Sequence, residues 1–174
     1  MDTKLSVGVQ ILEALDEDDF ATLDAIFQGG QRDVLEITPS EHWNWLHKAL
    51  LGFDPNKPSE KAINYLINKG VAINAQDMYG MTPLHYAMRA RNIDAAMALL
   101  HAGADPNIPN RDNLIPLRMC IRYPDRLDLL ALMLEKGGNV HYFDGNMELL
   151  DAIKDFKGND PNCADFIAKL EEYA

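Results

Sequence analysis

The chain has 174 residues, of which 47% are hydrophobic and 25% charged, the balance of a globular domain with a real core. Its formal net charge of −11 argues against a general nucleic-acid binder, which needs a basic face, and against docking on anionic membranes. No apolar run approaches the roughly 18 residues needed to span a bilayer. The N-terminus lacks a signal-peptide core, and Cys120 and Cys163 have neither a disulfide-framework nor a zinc spacing. The expected location is a reducing cytoplasm.

In chain order, residues 5–30 read as two amphipathic helices. Val7, Ile11, Leu12 and Leu15 make one apolar face, and Phe20, Leu23, Ile26 and Phe27 make the other. The acidic run from Asp16 to Asp19 between them is expected to be a solvated turn rather than a metal site, its later acids favoured at the positive N-terminus of the next helix. Residues 31–38 are a polar, β-prone link. Residues 39–73 carry Asn44, Trp45, Leu46, His47 and Ala49, then the loop GFDPNKPSE at 52–60, then Ile63, Leu66 and Ile67 at helical spacing, and Gly70.

The stretch 77–107 is the most informative. Thr82, Pro83, Leu84, His85 and Ala87 spell T-P-L-H-x-A. Threonine is a good N-cap, and Pro83 falls at the first helical position, where its missing donor costs nothing. Asn92 can cap a second helix whose apolar residues Ile93, Ala96, Met97 and Leu100 follow the i, i+3, i+4, i+7 rule, and Gly103 supplies the left-handed residue that ends it. In these features the stretch resembles an ankyrin repeat, a unit of about 33 residues. Gly30, Gly70, Gly103 and Gly137 lie at intervals of 40, 33 and 34, so the resemblance extends along the chain.

The resemblance implies an all-α ankyrin-repeat solenoid of five stacked helix pairs joined by short β-hairpin-like connections, forming a single domain over 1–174. Its repeats are 5–30 as N-terminal cap, 39–73, 77–107, 110–141, and 142–174 as C-terminal cap. In the second repeat Asn44 replaces threonine and Trp45 proline, and 52–60 is longer than the family's turn between helices. The fourth puts Ile115 at the cap, Arg118 at the histidine position and Cys120 at the alanine, so it is expected to be held mostly by its neighbours, while Leu127, Leu130, Ala131 and Leu134 repeat the outer-helix pattern. In the last, Leu149, Leu150, Ala152 and Ile153 make one helix and Phe166, Ile167 and Leu170 the other. The family's histidine bonds within and between repeats, which makes His85 a scaffold residue.

No catalytic constellation is legible. His42 and His47 are five apart and do not share a helical face as HExxH would, and there is no phosphate-binding glycine loop or Gly-x-Ser-x-Gly elbow. The expectation is a non-enzyme with no cofactor and no metal. It binds another protein, but neither nucleic acid nor membrane, and is monomeric or partner-bound.

Carried over by position, the family's variable tip and inner-helix residues are Trp43, Met78, Tyr79, Met81, Arg111 and Leu114, with Arg89, Arg122 and Tyr123. These combine arginine, aromatic and methionine side chains, the usual anchors of protein interfaces. Six of the seven arginines lie between 89 and 126. Arg89 and Arg122, 33 apart, are expected side by side in adjacent layers, gripping a carboxylate-bearing segment, unless the central arginines pair with acids of the chain itself. Trp43 is expected either in that interface or packed against Trp45 and the 31–38 link. An adaptor or inhibitor fits this reading, as does an immunity protein that neutralises a basic toxin or a host-directed bacterial effector. The competing classes are a metal protein or enzyme using the histidines, and a structural protein that self-associates.

Overall fold

The computed structural model describes residues 3–174, which form ten α-helices and, among the described residues, no strand. Consecutive helices pair: α1 (Thr3–Asp16) with α2 (Phe20–Gln28), α3 (Trp45–Ala49) with α4 (Glu60–Asn68), and α5 (Pro83–Ala90) with α6 (Ile93–His101). The last two pairs are α7 (Pro116–Met119) with α8 (Leu127–Glu135) and α9 (Leu149–Lys157) with α10 (Ala164–Glu171). Helices α1, α3, α5 and α7 touch in order, and α4, α6, α8 and α10 make a second row behind them. The architecture is therefore the expected solenoid of five helix pairs.

Short helices leave many backbone groups unpaired at their ends, so the ends carry the specification. Helices α2, α4, α6 and α8 stop in the same way. Gly30, Gly70, Gly103 and Gly137 have φ of 69°, 89°, 99° and 90°, a region closed to most side chains. Each glycine N–H bonds the carbonyl three residues back, and the following N–H bonds five back: Gln31 to Ile26, Val71 to Leu66, Ala104 to Leu99 and Gly138 to Met133. This is the Schellman closure, used by the first four of the five helix pairs.

Helix starts are equally explicit where a short polar side chain is present. Asp19 accepts the Thr22 N–H at 3.0 Å, Asn44 that of His47 at 3.1 Å, Ser59 that of Ala62 at 3.2 Å, and Asn92 that of Ala95 at 2.9 Å. Ile115 has no such group. Its helix runs only from Pro116 to Met119 before tightening into a 3-10 turn at Cys120–Arg122. Burial of Pro116, Leu117 and Met119 holds it instead. Cys120 fills the small core slot, 1% exposed, with its Sγ 3.3 Å from Met133 Sδ.

Two connections add detail to the expected solenoid. The 31–38 link forms no strand, and Leu35 and Ile37 are more than half exposed. The acidic turn is largely exposed and its last acid meets the next helix's N-terminus, as expected, and it makes two contacts besides. Asp19 caps α2, while Glu17 pairs with Lys57 at 2.9 Å and Asp18 accepts the Ser59 hydroxyl at 2.5 Å. The turn thus anchors the 52–60 loop, whose Pro58 carbonyl in turn accepts the buried Asn92 amide at 2.8 Å.

Candidate functional site

Between one pair and the next the chain makes a tip, and the tips share one construction. Asp77, Asn110 and Asp144 recur at intervals of 33 and 34, and each side chain accepts two backbone N–H groups of its own turn. Successive tips are tied by backbone bonds, Met78 N–H to Glu41 O at 2.9 Å and Arg111 N–H to Tyr79 O at 3.0 Å. Behind them, Asn74 bridges to Gly103 O and Asp105 N–H, and Asn107 repeats the bridge to Gly137 O and Asn139 N–H. The tip row is rigid because each member is fixed to the next.

The histidines complete that frame. His85 Nε2 lies 2.9 Å from the Leu114 carbonyl, so Nε2 carries the proton. Nδ1 is then left to accept from the Thr82 N–H at 3.1 Å and the Thr82 hydroxyl at 2.9 Å. His47 makes the same crossing one layer earlier, with Nε2 3.1 Å from the Met81 carbonyl and Nδ1 facing the Asn44 Oδ1 at 2.8 Å and N–H at 3.3 Å. Burial holds both imidazoles below the ordinary histidine pKa, so they stay neutral and bonded. His85 is a scaffold residue, as the sequence implies, and His47 is another.

Asp77 is the hub of the central repeat. Besides its own tip, it accepts the Tyr86 hydroxyl at 2.5 Å and the Trp43 indole N–H at 3.2 Å. Burial alone would raise its pKa, but bonds from Tyr86, Met81, Tyr79 and Trp43 outweigh that and hold it below the usual carboxylate range. The same carboxylate, after burial, helps push the Tyr86 hydroxyl up to about 12. The Trp43 indole also reaches the Tyr86 hydroxyl at 3.1 Å, while its main chain pairs with Thr38. Trp43 is thus half-buried, tied to the link by its backbone and to the next repeat by its ring nitrogen, without stacking on Trp45.

Against this hub lies an open groove of about 600 Å³. Trp43, Leu51 and Met81 give it apolar walls, Tyr79 and Tyr86 add rings, and Arg89, Arg111 and Asp112 bring charge. The Arg89 guanidinium stacks 4.4 Å from the Tyr86 ring centre and 5.6 Å from that of Phe53, and its buried Nε has no hydrogen-bond partner among the described residues. Arg111 is exposed, and neither arginine makes an ion pair among the described residues.

Five of the residues expected at a binding surface therefore come together here: Trp43, Tyr79, Met81, Arg89 and Arg111. The other four do not line the groove. Met78 and Leu114 are half-buried under the tips, and Tyr123 turns its hydroxyl to the Met88 carbonyl. Arg122 is exposed at the end of the 3-10 turn, so Arg111 and not Arg122 accompanies Arg89 in the groove. Two other central arginines pair internally, Arg118 with Asp144 and Arg126 with Asp128. Asp77 was legible only as a tip residue at repeat spacing. Leu51 and Tyr86 carried no signal, because neither belongs to the repeat motif.

Comparison with known proteins decides the family. A family model described as ankyrin repeats (3 copies) matches residues 13–110 and 56–144. The chain belongs to the ankyrin-repeat family. Among its relatives, the ankyrin repeat protein FPV244 of fowlpox virus is 34% identical over 89 residues, 51% of this chain and 13% of that protein. A homolog of transient receptor potential cation channel subfamily A member 1 from Caenorhabditis elegans is 47% identical over 58 residues, 33% of this chain and 5% of the channel protein. The ankyrin repeat protein nuc-2 of Neurospora crassa is 27% identical over 130 residues, 74% of this chain and 12% of nuc-2. The chain thus spans a small part of each relative's length. Ankyrin repeats are in general protein–protein interaction modules, typically without catalysis. No helix among the described residues is long and apolar enough to cross a membrane.

Proposed function

We propose that this ankyrin-repeat chain is a non-catalytic module that binds one partner protein in the groove between the central tips and α5, acting as adaptor or inhibitor. The observation that carries the reading is the composition of that groove. It brings together a half-exposed tyrosine, a methionine, a half-buried tryptophan and two arginines without ion pairs, on a frame fixed by inter-repeat bonds. Rigid aromatic and arginine anchors lose little entropy on binding, which favours a firm contact over a modest area. A cytoplasmic location is part of the proposal and suits the two free, buried cysteines.

A second reading takes a basic partner, as toxin neutralisation would require. It rests on a cleft of about 370 Å³ at the first helix pair, lined in part by Glu13, Glu17 and Asp19. One experiment separates the two. Affinity capture from the source cell is run with the unaltered chain, with Tyr79→Ala/Arg111→Ala, and with Glu13→Gln/Glu17→Gln, and the captured protein is then titrated in purified form. The groove reading expects the first double variant to lose the partner and the second to keep it. The opposite pattern favours the basic partner.

A further inference from the structure

We infer that the groove receives an extended, carboxylate-bearing segment of the partner, with an acidic side chain between Arg89 and Arg111 and an apolar neighbour against Tyr79 and Met81. The inference rests on the groove reading above and adds the chemistry of what is bound.

Charge is the first argument. The chain holds 27 acidic residues against 16 lysines and arginines, yet among the described residues only Arg32, Arg118 and Arg126 of the seven arginines make an ion pair. Arg118 and Arg126 each found one, in Asp144 and Asp128. Arg89 and Arg111 found none, although Asp112 shares their groove and Asp77 lies behind it. Asp77 is already occupied by the Tyr86 hydroxyl, the Trp43 indole and two backbone N–H groups. Asp77 keeps its charge but has its lone pairs engaged, so Arg89 and Arg111 are the groove's cations without a paired carboxylate, beside a single exposed acid, Asp112.

Preorganisation is the second. Arg89 is held by stacking on Tyr86 and by the ring of Phe53, not by a carboxylate, and Tyr86 is itself fixed by Asp77 and Trp43. Its buried Nε has no acceptor among the described residues, a cost folding normally avoids. At Arg111 the backbone bond to Tyr79 fixes only where the exposed side chain leaves the tip, so the preorganised guanidinium is that of Arg89. A guanidinium oriented in advance and left without a counter-ion matches a carboxylate through charge-assisted hydrogen bonds. A phosphorylated side chain would place nearly two negative charges beside Asp112 in an already acidic protein, so the single charge of aspartate or glutamate fits better.

The third argument is shape. The groove is open to solvent and borrows residues from three successive tips or helix ends, around 43–51, 79–89 and 110–112. An extended chain can lie across three such layers while a side chain dips to each wall.

The probe is a set of short random-sequence peptide pools, each with one fixed central residue: aspartate, glutamate, asparagine, glutamine, phosphoserine or lysine. Each is applied to the full chain immobilised by a terminal tag. The aspartate and glutamate pools should be retained about tenfold better than their amide counterparts, the scale of one charge-assisted bond. Retention should fall by a similar factor in Arg111→Ala and Arg89→Gln, and hold in Arg91→Ala. Because Arg111 is exposed, its variant tests the inference even if Arg89→Gln fails to fold. Equal retention of amide and acid pools, or preference for phosphoserine or lysine, overturns the inference. If the retained peptides are nonetheless lost in Tyr79→Ala, the groove reading survives that result. Acid-pool binding untouched by both arginine variants overturns the inference and the groove together. Retention of no pool overturns the inference, while the groove reading is then decided by the captured partner and its response to Tyr79→Ala/Arg111→Ala.

Discussion

The Arg118 guanidinium pairs with the Asp144 carboxylate across the same step between layers that His85 crosses to the Leu114 carbonyl and His47 to that of Met81. Arg118 stands 33 residues after His85, at the equivalent position. A histidine N–H on a carbonyl has been replaced by a charged pair on the next tip. The link between repeats persists while its chemistry changes.

That exchange makes the fourth step sensitive to acid. N–H of Asn146, then Arg118, then N–H of Met147 hold the Asp144 carboxyl down to about 2. A depressed carboxyl pKa stabilises the fold above the ordinary value of 3.8, and the contribution is lost as pH falls through the folded value. In Asp144→Asn the denaturation midpoint should therefore fall less between about pH 5 and pH 2 than in the unaltered chain. Parallel curves for the two proteins would mean Asp144 is not linked to folding.

The two histidine links predict an earlier acid effect. His47 and His85 are kept below the ordinary 6.5 by burial, so the unfolded chain takes up protons first as pH drops. Their stabilisation is full above about pH 6.5 and declines below it. Urea denaturation should show lower stability at about pH 5.5 than at about pH 7.5. His47→Gln/His85→Gln should be less stable at the higher pH but show a smaller difference between the two.

Thr82 tests how much of the capping rests on its hydroxyl, which meets His85 Nδ1 at 2.9 Å. Thr82→Val keeps the shape and removes that donor, so it should cost about 1 kcal/mol, whereas Thr82→Ser should stay close to the unaltered chain. Equal midpoints for all three in chemical denaturation would remove the hydroxyl from the account.

Two glycines separate strain from crowding. At Gly103 (φ 99°) an added Cβ meets nothing within 4 Å, so Gly103→Ala should cost about 1–2 kcal/mol through backbone strain alone. At Gly80 (φ 75°) the same atom comes 3.1 Å from the Arg111 nitrogen and the Asn110 Cα. Gly80→Ala should therefore cost more, and it should weaken partner binding by displacing Arg111. A Gly80→Ala chain no less stable than Gly103→Ala would contradict the tight packing of tips.

Most of the fold is legible in the amino-acid order. The T-P-L-H-x-A run and the spacing of Gly30, Gly70, Gly103 and Gly137 each reflect a backbone need that recurs once per repeat. The groove is half legible for the same reason. Tyr79, Met81 and Arg111 sit at tip positions that repeat spacing locates, and Trp43 and Arg89 follow by counting. Repeat spacing does not say where a side chain goes once placed. Tyr123 reaches back to Met88, and Arg118 reaches forward to Asp144. Asp77 gathers Trp43 and Tyr86 over separations of 34 and nine residues. Such bonds depend on the distance between stacked layers, which no local pattern encodes.

Hydrogen–deuterium exchange on the complex with the captured partner tests the binding face most directly, because it reads every backbone amide without altering a residue. The account predicts new protection at the tips around 41–43, 78–81 and 110–112 and at the end of α5, with α4, α6 and α8 unchanged. Protection confined to those second-row helices, or to the acidic turn at 16–19, would contradict it.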